Sequence, residues 1–138
     1  MRIMAIDYGD AHTGVAISDP FGMLAGYTTV IDSWRREVVV EELLRIIKEH
    51  GVDELVLGYP KNMNNTKGER IQKSEALAEI LREKTGLPLT LWDERLTTVD
   101  AHRILSDNGR KGRRRKQTVD AVAATLILEG YLTFKKHH

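Results

Sequence analysis

The stretch RIMAIDYGDAHTGVAISDP, residues 2–20, decides the fold because it carries two strand patterns separated by a short turn. The apolar run at residues 2–7 predicts a buried strand, and Gly9 marks the turn that follows it. A second strand is predicted at residues 13–19, and a third, rich in β-branched residues, at residues 25–31. Short turns between three successive strands predict an antiparallel meander.

After the meander, helices and strands alternate along the chain. Apolar residues at helical spacing predict a first helix that ends at Gly51, and Trp34 just before it is expected to pack against the protein. Two further strands are predicted at residues 54–58 and 87–93, with a second helix at residues 69–85 between them.

Two more helices are predicted near the C-terminus. A capping pattern at Thr97 and Asp100 opens the first of them, and a basic loop at residues 110–116 separates it from the second. The last helix is expected to bury one apolar stripe, formed by Val119, Val122, Ala123, Leu126 and Ile127. The whole pattern predicts an α/β fold in which a mixed sheet carries helices on both faces and strands one, four and five are parallel neighbours.

Composition narrows the class of protein. The chain has 138 residues, no cysteine, and 21 basic against 20 acidic residues, for a formal net charge of +1. The length predicts a single domain, residues 1–138, with residues 136–138 as a disordered tail or the remnant of a purification tag. The lack of cysteine excludes a disulfide framework, a zinc ribbon and a cysteine nucleophile. No long apolar run or signal-peptide pattern is recognisable, so we expect a cytoplasmic protein without a membrane partner.

A local positive segment is hidden by the near-neutral total charge. Residues 110–116 hold six basic residues, which leaves 15 basic against 20 acidic elsewhere, a balance of −5. A cationic segment on an acidic body is expected to contact phosphates at one place and so to bind nucleic acid. The predicted nucleic-acid contacts are Lys61, Arg70, Arg95, Arg110, Lys111, Arg113, Arg114, Arg115 and Lys116.

Three acidic residues stand where catalytic chemistry is expected. Asp7 and Glu94 close the first and fifth strands, and Asp120 lies in the first turn of the last helix. Ligands of such sheets bind beyond the carboxyl ends of the parallel strands, where Gly9 lets the backbone turn and Gly58 leaves room between the strand ends. Clustered carboxylates repel one another unless a cation or protons hold them together, and a set of oxygen ligands suits one or two Mg²⁺ or Mn²⁺ ions.

Five motifs resemble a single bacterial family. In chain order they are IDYG at 6–9, GVAISD at 14–19, LGYP at 57–60, WDERLTT at 92–98 and VDAVAA at 119–124. They make the chain similar to the YqgF family, whose members are described as Holliday junction resolvase-like proteins and as candidate pre-16S rRNA nucleases. The resemblance implies an RNase H-like fold with strand order 3-2-1-4-5, and it implies that Asp7, Glu94 and Asp120 form a metal-binding triad. His12 and Asn65 stand where many members carry Arg and Gly.

The favoured interpretation is a metal-dependent endonuclease for 5′-end processing of pre-16S rRNA, with structured RNA and ribosome precursor particles as partners. A Holliday junction resolvase acting on branched DNA is an alternative, and a non-catalytic RNA- or ribosome-binding module is another. A nucleotide-phosphate binder is a fourth, since residues 7–15 also resemble the first phosphate loop of actin-like and sugar-kinase ATPases. A monomer is expected, with a dimer as the alternative, because no apolar stripe remains after the core helices are assigned.

Overall fold

The structure, a computed structural model, describes residues 1–21, 25–59, 68–93 and 112–137. Its strands are β1 (Ile3–Asp7), β2 (His12–Ser18), β3 (Ala25–Asp32), β4 (Glu54–Tyr59) and β5 (Leu89–Asp93). Its helices are α1 (Arg36–His50), α2 (Gly68–Thr85) and α3 (Gly112–His137). Within these residues, no helix combines the length and the apolar character that a membrane span needs.

The five strands form one mixed sheet in the order β3-β2-β1-β4-β5. Strand β2 pairs antiparallel with β1 and β3, whereas β4 pairs parallel with β1 and β5. The predicted meander, strand order and parallel neighbours are therefore confirmed. Strand β1 lies at the centre, so the residues at its carboxyl end have a neighbouring strand on each side.

Helices α1 and α2 cover one face of the sheet. Because side chains alternate along a strand, Met4 and Ile6 of β1 point to this face. There they join an apolar core that includes Val15, Ile17, Leu55, Leu57, Val39, Leu43, Leu77 and Leu81. Gly51 ends α1 in the left-handed conformation with φ of 63°, as its position in the sequence predicted.

Helix α3 covers the opposite face. Ile3 and Ala5 of β1 contribute to a second core there, together with Ala16, Val56, Ala124, Ile127, Leu128 and Tyr131. The small side chains of Ala5, Ala16 and Ala124 let the helix backbone approach the sheet closely. Both faces therefore carry helices, as predicted.

Most predicted element boundaries agree with the structure to within two residues, but the start of α3 does not. The segment at residues 110–116 was predicted to be a loop, whereas α3 begins at Gly112 and so includes the basic residues from Arg113 onward. Arg, Lys and Gln are good helix formers, and no Gly or Pro interrupts them before residue 119, so the helix extends toward its N-terminus. At its C-terminus α3 continues to His137 and so includes residues 136 and 137 of the segment predicted to be a disordered tail or a tag remnant.

The buried face of α3 is also shifted from the predicted stripe. Leu126 and Ile127 are buried as expected, but Val122 and Ala123 are half-buried. The residues that pack on the sheet are Ala124, Ile127, Leu128 and Tyr131. The helix presents this side because the sheet has small residues, Ala5 and Ala16, where α3 packs on it. The helical pattern of α3 alone carries no information about the surface of the sheet. The helix predicted after Thr97 lies outside the described residues.

Candidate active site

Asp7 closes the central strand between two glycines. In the strand register it lies opposite Gly14 of β2 and opposite Gly58 of β4. Residues that lie opposite one another in a sheet project to the same face, so on the α3 face no side chain borders Asp7 in either neighbouring strand. The Asp7 side chain is half-buried. On this face the surface of the sheet is therefore recessed on both sides of the carboxylate, at two glycines that are themselves buried. Whether Gly58 makes room for a ligand there stays a prediction.

The turn after Asp7 requires Gly9. A β-carbon at this position would overlap the backbone carbonyl oxygen of His12, which is not a flexible atom. Close contact between Gly9 and the start of β2 brings the chain back beside β1. The structure therefore requires glycine at this turn, and the predicted support of a catalytic site by Gly9 stays a prediction.

His12 lies on the same face as Asp7, two residues from Gly14 along β2. Its Nδ1 is 2.6 Å from the Oδ1 of Asp32, which lies opposite it on β3. Because an ionised carboxylate only accepts hydrogen bonds, the Nδ1–H group of His12 donates the hydrogen bond and Asp32 accepts it. The family resemblance identified His12 as a departure, and the structure shows that a neighbouring strand holds its ring in place.

The other two predicted acids are described less fully. Glu94 lies outside the described residues, and for Asp120 the structure describes only the helical backbone. Position 120 is one helical turn before Ala124, which packs against the same face of the sheet that carries Asp7. Among the described side chains, no group of three His, Asp or Glu residues is placed to hold a metal. The meeting of Asp7, Glu94 and Asp120 therefore stays a prediction.

Among the predicted nucleic-acid contacts, Arg70 is the best described. One of its guanidinium nitrogens, Nη2, donates to the backbone carbonyl of Tyr8 at 3.3 Å, so α2 supports the turn that follows Asp7. Four more of these residues lie on the helical backbone near the start of α3, where their side chains are not described: Arg113, Arg114, Arg115 and Lys116. The remaining four lie outside the described residues: Lys61, Arg95, Arg110 and Lys111.

A groove that the sequence did not predict opens on the α1 and α2 side of the same turn. We call it the Trp34 groove; it has a volume of about 300 Å³ and is lined by Tyr8, Gly9, Asp10, Trp34, Arg36 and Lys73. Contrary to the expected packing role, Trp34 is 80% exposed. One pattern in the sequence could have indicated positive charge near this turn. Arg70 and Lys73 are three residues apart and therefore share one face of α2.

The electrostatics of the Trp34 groove are centred on Tyr8. Burial raises the pKa of the Tyr8 phenol above its usual value, and the neighbouring cations Arg36 and Lys73 oppose this rise. Asp10 and Glu37 add to it, and the Nζ of Lys73 lies 3.7 Å from the Oδ1 of Asp10. The phenol therefore stays protonated at neutral pH between two cationic side chains.

Sequence comparisons identify similar proteins over nearly the full chain. The family model described as "RuvX: Holliday junction resolvase" matches residues 1–134. A Desulfitobacterium hafniense protein named "Putative pre-16S rRNA nuclease" is 46% identical over 134 residues, which cover 97% of this chain and 93% of that protein. A protein of the same name from Listeria monocytogenes is 45% identical over 134 residues, and the alignment covers 96% of this chain and 97% of that protein.

Solved structures with a similar fold are distant in sequence. The RuvC protein of Thermus thermophilus, in complex with a Holliday junction substrate, has a TM-score of 0.63 at 12% identity and covers 99% of this chain and 96% of that chain. The fowlpox virus Holliday junction resolvase has a TM-score of 0.59 at 13% identity, with all of both chains covered. At these identities the likeness concerns the fold alone, and it confirms the RNase H-like architecture.

Proposed function

Since the chain belongs to the RuvX/YqgF family, we propose that it is a divalent-metal-dependent endonuclease that hydrolyses phosphodiester bonds at the 5′ end of the 16S rRNA precursor. The observation that carries the proposal is the position of Asp7 at the carboxyl end of the central strand, with Gly14 and Gly58 on either side. Open α/β sheets bind their ligands at this end, and the two glycines leave space for a phosphate beside the carboxylate.

The donor chemistry of the proposed site fits Mg²⁺ or Mn²⁺. The chain has no cysteine, and Asp7, Glu94 and Asp120 offer only oxygen atoms, the ligands that these hard cations prefer. One or two such ions supply an activated water and stabilise the leaving oxygen of a phosphodiester. Asp7 would hold the ion from the sheet, Asp120 from the helix that packs on it, and Glu94 from the residue after β5.

The residues around the recess would position the substrate. The basic residues near the start of α3 share a helix with Asp120, so a phosphate backbone held by them passes near the acids. Arg70 keeps the turn after Asp7 in place through the Tyr8 carbonyl. Lys61, Arg95, Arg110 and Lys111 complete the proposed set of phosphate contacts.

The names of the similar proteins favour RNA over branched DNA. Proteins 42 to 46% identical to this chain and of nearly equal length carry the name "Putative pre-16S rRNA nuclease". A resolvase presents two active sites to a symmetric junction and therefore works as a dimer. We propose a monomer that acts on ribosome precursor particles in the cytoplasm; Holliday junction cleavage is the second candidate, which the description of the matching family model favours.

Replacement of Asp7 tests the proposal. Purified protein with Mg²⁺ or Mn²⁺ is expected to cleave a precursor 16S rRNA fragment. Asp7→Asn should lower the cleavage rate more than about 100-fold, because removing a residue that only hydrogen-bonds to a metal ligand costs up to about 100-fold and a direct ligand should cost more. Asp53→Asn is the matched control, because Asp53 is exposed at the opposite end of the sheet, where it accepts the backbone N–H of Arg2.

The outcomes separate the alternatives. Cleavage of a four-way DNA junction but not of the RNA fragment would favour the resolvase. Binding of RNA without cleavage in any metal would favour the non-catalytic module. Equal cleavage rates for Asp7→Asn and the wild-type protein would contradict the proposed site.

A further inference from the structure

Trp34 has an unusual environment for a tryptophan. It is 80% exposed, although it lies in the short connection between β3 and α1. This connection is ordered, because the backbone N–H of Arg35 donates to the Ser33 hydroxyl at 3.1 Å, and the Arg35 carbonyl accepts from the first turn of α1. Tryptophan is usually well buried, so a ring held in water by a defined turn offers its face to a ligand.

Positive charge lies beside this ring. Arg36 and Lys73 line the Trp34 groove from α1 and α2, whereas Asp10 is the acidic residue among its lining side chains. Arg70 lies next to Lys73 in a smaller adjoining pocket that also contains Tyr8, Gly9 and Asp10, and the Nζ of Lys73 lies 3.7 Å from the Oδ1 of Asp10. The groove therefore presents aromatic rings together with an excess of cationic groups, a combination that suits a base and its phosphates.

The Trp34 groove is also adjacent to the proposed catalytic carboxylate. Tyr8, which lines it, directly follows Asp7, but the two side chains project to opposite faces of the sheet. The groove thus lies on the α1 and α2 side of the β1 end, and the recess beside Asp7 lies on the α3 side. A strand that passes over the end of β1 would touch both.

We propose that the Trp34 groove binds an unpaired nucleotide next to the bond that is cut, with the base stacked on Trp34 and the phosphates contacted by Arg36 and Lys73. The inference rests on the proposed function and adds a substrate class to it: RNA with a single-stranded segment beside the cleavage site. A duplex keeps its bases stacked on one another, so only an unpaired base offers its face to the tryptophan ring. The excess of cations favours a nucleic acid over a basic protein segment as the occupant.

Binding measured without cleavage tests this inference. The Asp7→Asn protein is titrated, in the presence of a chelator, into a fluorescent single-stranded RNA oligonucleotide and into the matching RNA duplex. Adding Trp34→Ala is expected to weaken single-strand binding on the order of tenfold, the usual effect of removing one base-stacking ring, and to leave duplex binding nearly unchanged. Trp34→Phe, which keeps an aromatic face, should retain most of the affinity.

Phe21→Ala is the matched control. Phe21 is 85% exposed but follows β2, at the opposite end of the sheet from the Trp34 groove, so its loss removes an exposed ring without touching the proposed site. Equal single-strand affinities for the Trp34→Ala and Phe21→Ala proteins would overturn the inference, as would an equal loss of duplex binding. Cleavage by the wild-type protein is measured in a separate assay. If Trp34→Ala weakens single-strand binding but the wild-type protein cleaves no RNA, the proposed nuclease function is contradicted and the proposed binding groove is not.

Discussion

At the scale of single residues, the recess beside Asp7 depends on what its neighbours lack. Gly14 and Gly58 lie opposite Asp7, and a β-carbon at either position would project to the same face as the carboxylate. Gly9 acts differently, because its lack of a side chain permits the close approach of the His12 carbonyl. These glycines have no chemistry of their own; in the proposed site, Gly14 and Gly58 would leave the space through which a ligand reaches the carboxylate.

Gly9→Ala is expected to lower the free energy of unfolding by about 1–3 kcal/mol, since the added methyl group meets backbone atoms that cannot turn away. Chemical denaturation measures the loss. Gly68→Ala provides the comparison, because a β-carbon there has no heavy atom within 4 Å among the residues that the structure describes. Alanine at this helical position should be neutral or stabilise by up to about 1 kcal/mol. If both variants were equally stable, the close contact at Gly9 would be wrong.

At the scale of elements, a partly buried polar cluster joins α3 to the sheet: Glu54 and Tyr131 are buried, whereas Thr90 and Lys135 are exposed. The Tyr131 hydroxyl donates to Oε2 of Glu54, and the Nζ of Lys135 lies 2.6 Å from the other oxygen of this carboxylate. The Thr90 hydroxyl lies 3.3 Å from that of Tyr131. Glu54 begins β4, so the cluster anchors the C-terminal half of α3 at the end of the sheet opposite Asp7.

Tyr131→Phe should therefore lower the free energy of unfolding by about 1.5–3 kcal/mol, the usual contribution of a hydrogen bond to a charged group. Tyr27→Phe, which alters a partly exposed tyrosine on β3, should change it by less than about 0.5 kcal/mol. Denaturant titration of the three proteins at pH 7 is the measurement. A loss no larger than that of the Tyr27 variant would show that the cluster does not hold the helix.

The same cluster makes stability sensitive to alkaline pH. Burial, and then the hydrogen bond to Glu54, raise the pKa of Tyr131 above its usual value of about 10, and the Glu54 contact raises that of Lys135. The unfolded chain loses both protons at a lower pH than the folded protein does, so this stability is complete below pH ~10 and is lost as the pH rises through the folded pKa values. The Tyr131→Phe protein should show a smaller alkaline loss than the wild type.

At the scale of the whole molecule, charge is distributed unevenly. Six of the 21 basic residues lie at positions 110–116, and the rest of the chain is acidic. The part of this segment that belongs to α3 begins a helix, whose N-terminal partial positive charge adds to that of the side chains. We therefore expect the molecule to approach a polyanion with the N-terminal end of α3 first.

Replacing Arg113 and Arg115 by Gln should weaken RNA binding and reduce its salt dependence, with the logarithmic slope falling by about 0.7 for each phosphate of a single strand that the protein no longer neutralises. The matched control replaces Lys48 and Lys84, in the last turns of α1 and α2, by Gln and changes the net charge equally. Affinities measured at several salt concentrations give both slopes. Equal slopes for the two double variants would show that total charge, not the basic segment, governs binding.

The sequence pattern predicted the strands and which of them are parallel neighbours, and the family resemblance implied their order, but neither predicted the Trp34 groove. Strand and turn patterns are local, so residues 2–20 carried most of the fold prediction. The position of Trp34 just before α1 predicted a packing role, as in a hydrophobic staple, and no local pattern indicated that the ring is exposed instead. The start of α3 was misjudged because a run of charges suggested a loop, whereas the helix propensity of those residues favoured continuation.

The chain by itself determined which residues can do chemistry, which strands neighbour one another, and the family to which the protein belongs. Only the tertiary structure decided that Asp7 is flanked by two glycines, that His12 is held by Asp32, and that Trp34, Arg36 and Lys73 share one groove. The physical reason is distance along the chain. Local patterns arise from backbone preferences over a few residues, whereas a recess or a groove arises from the register and packing of segments that are remote in sequence.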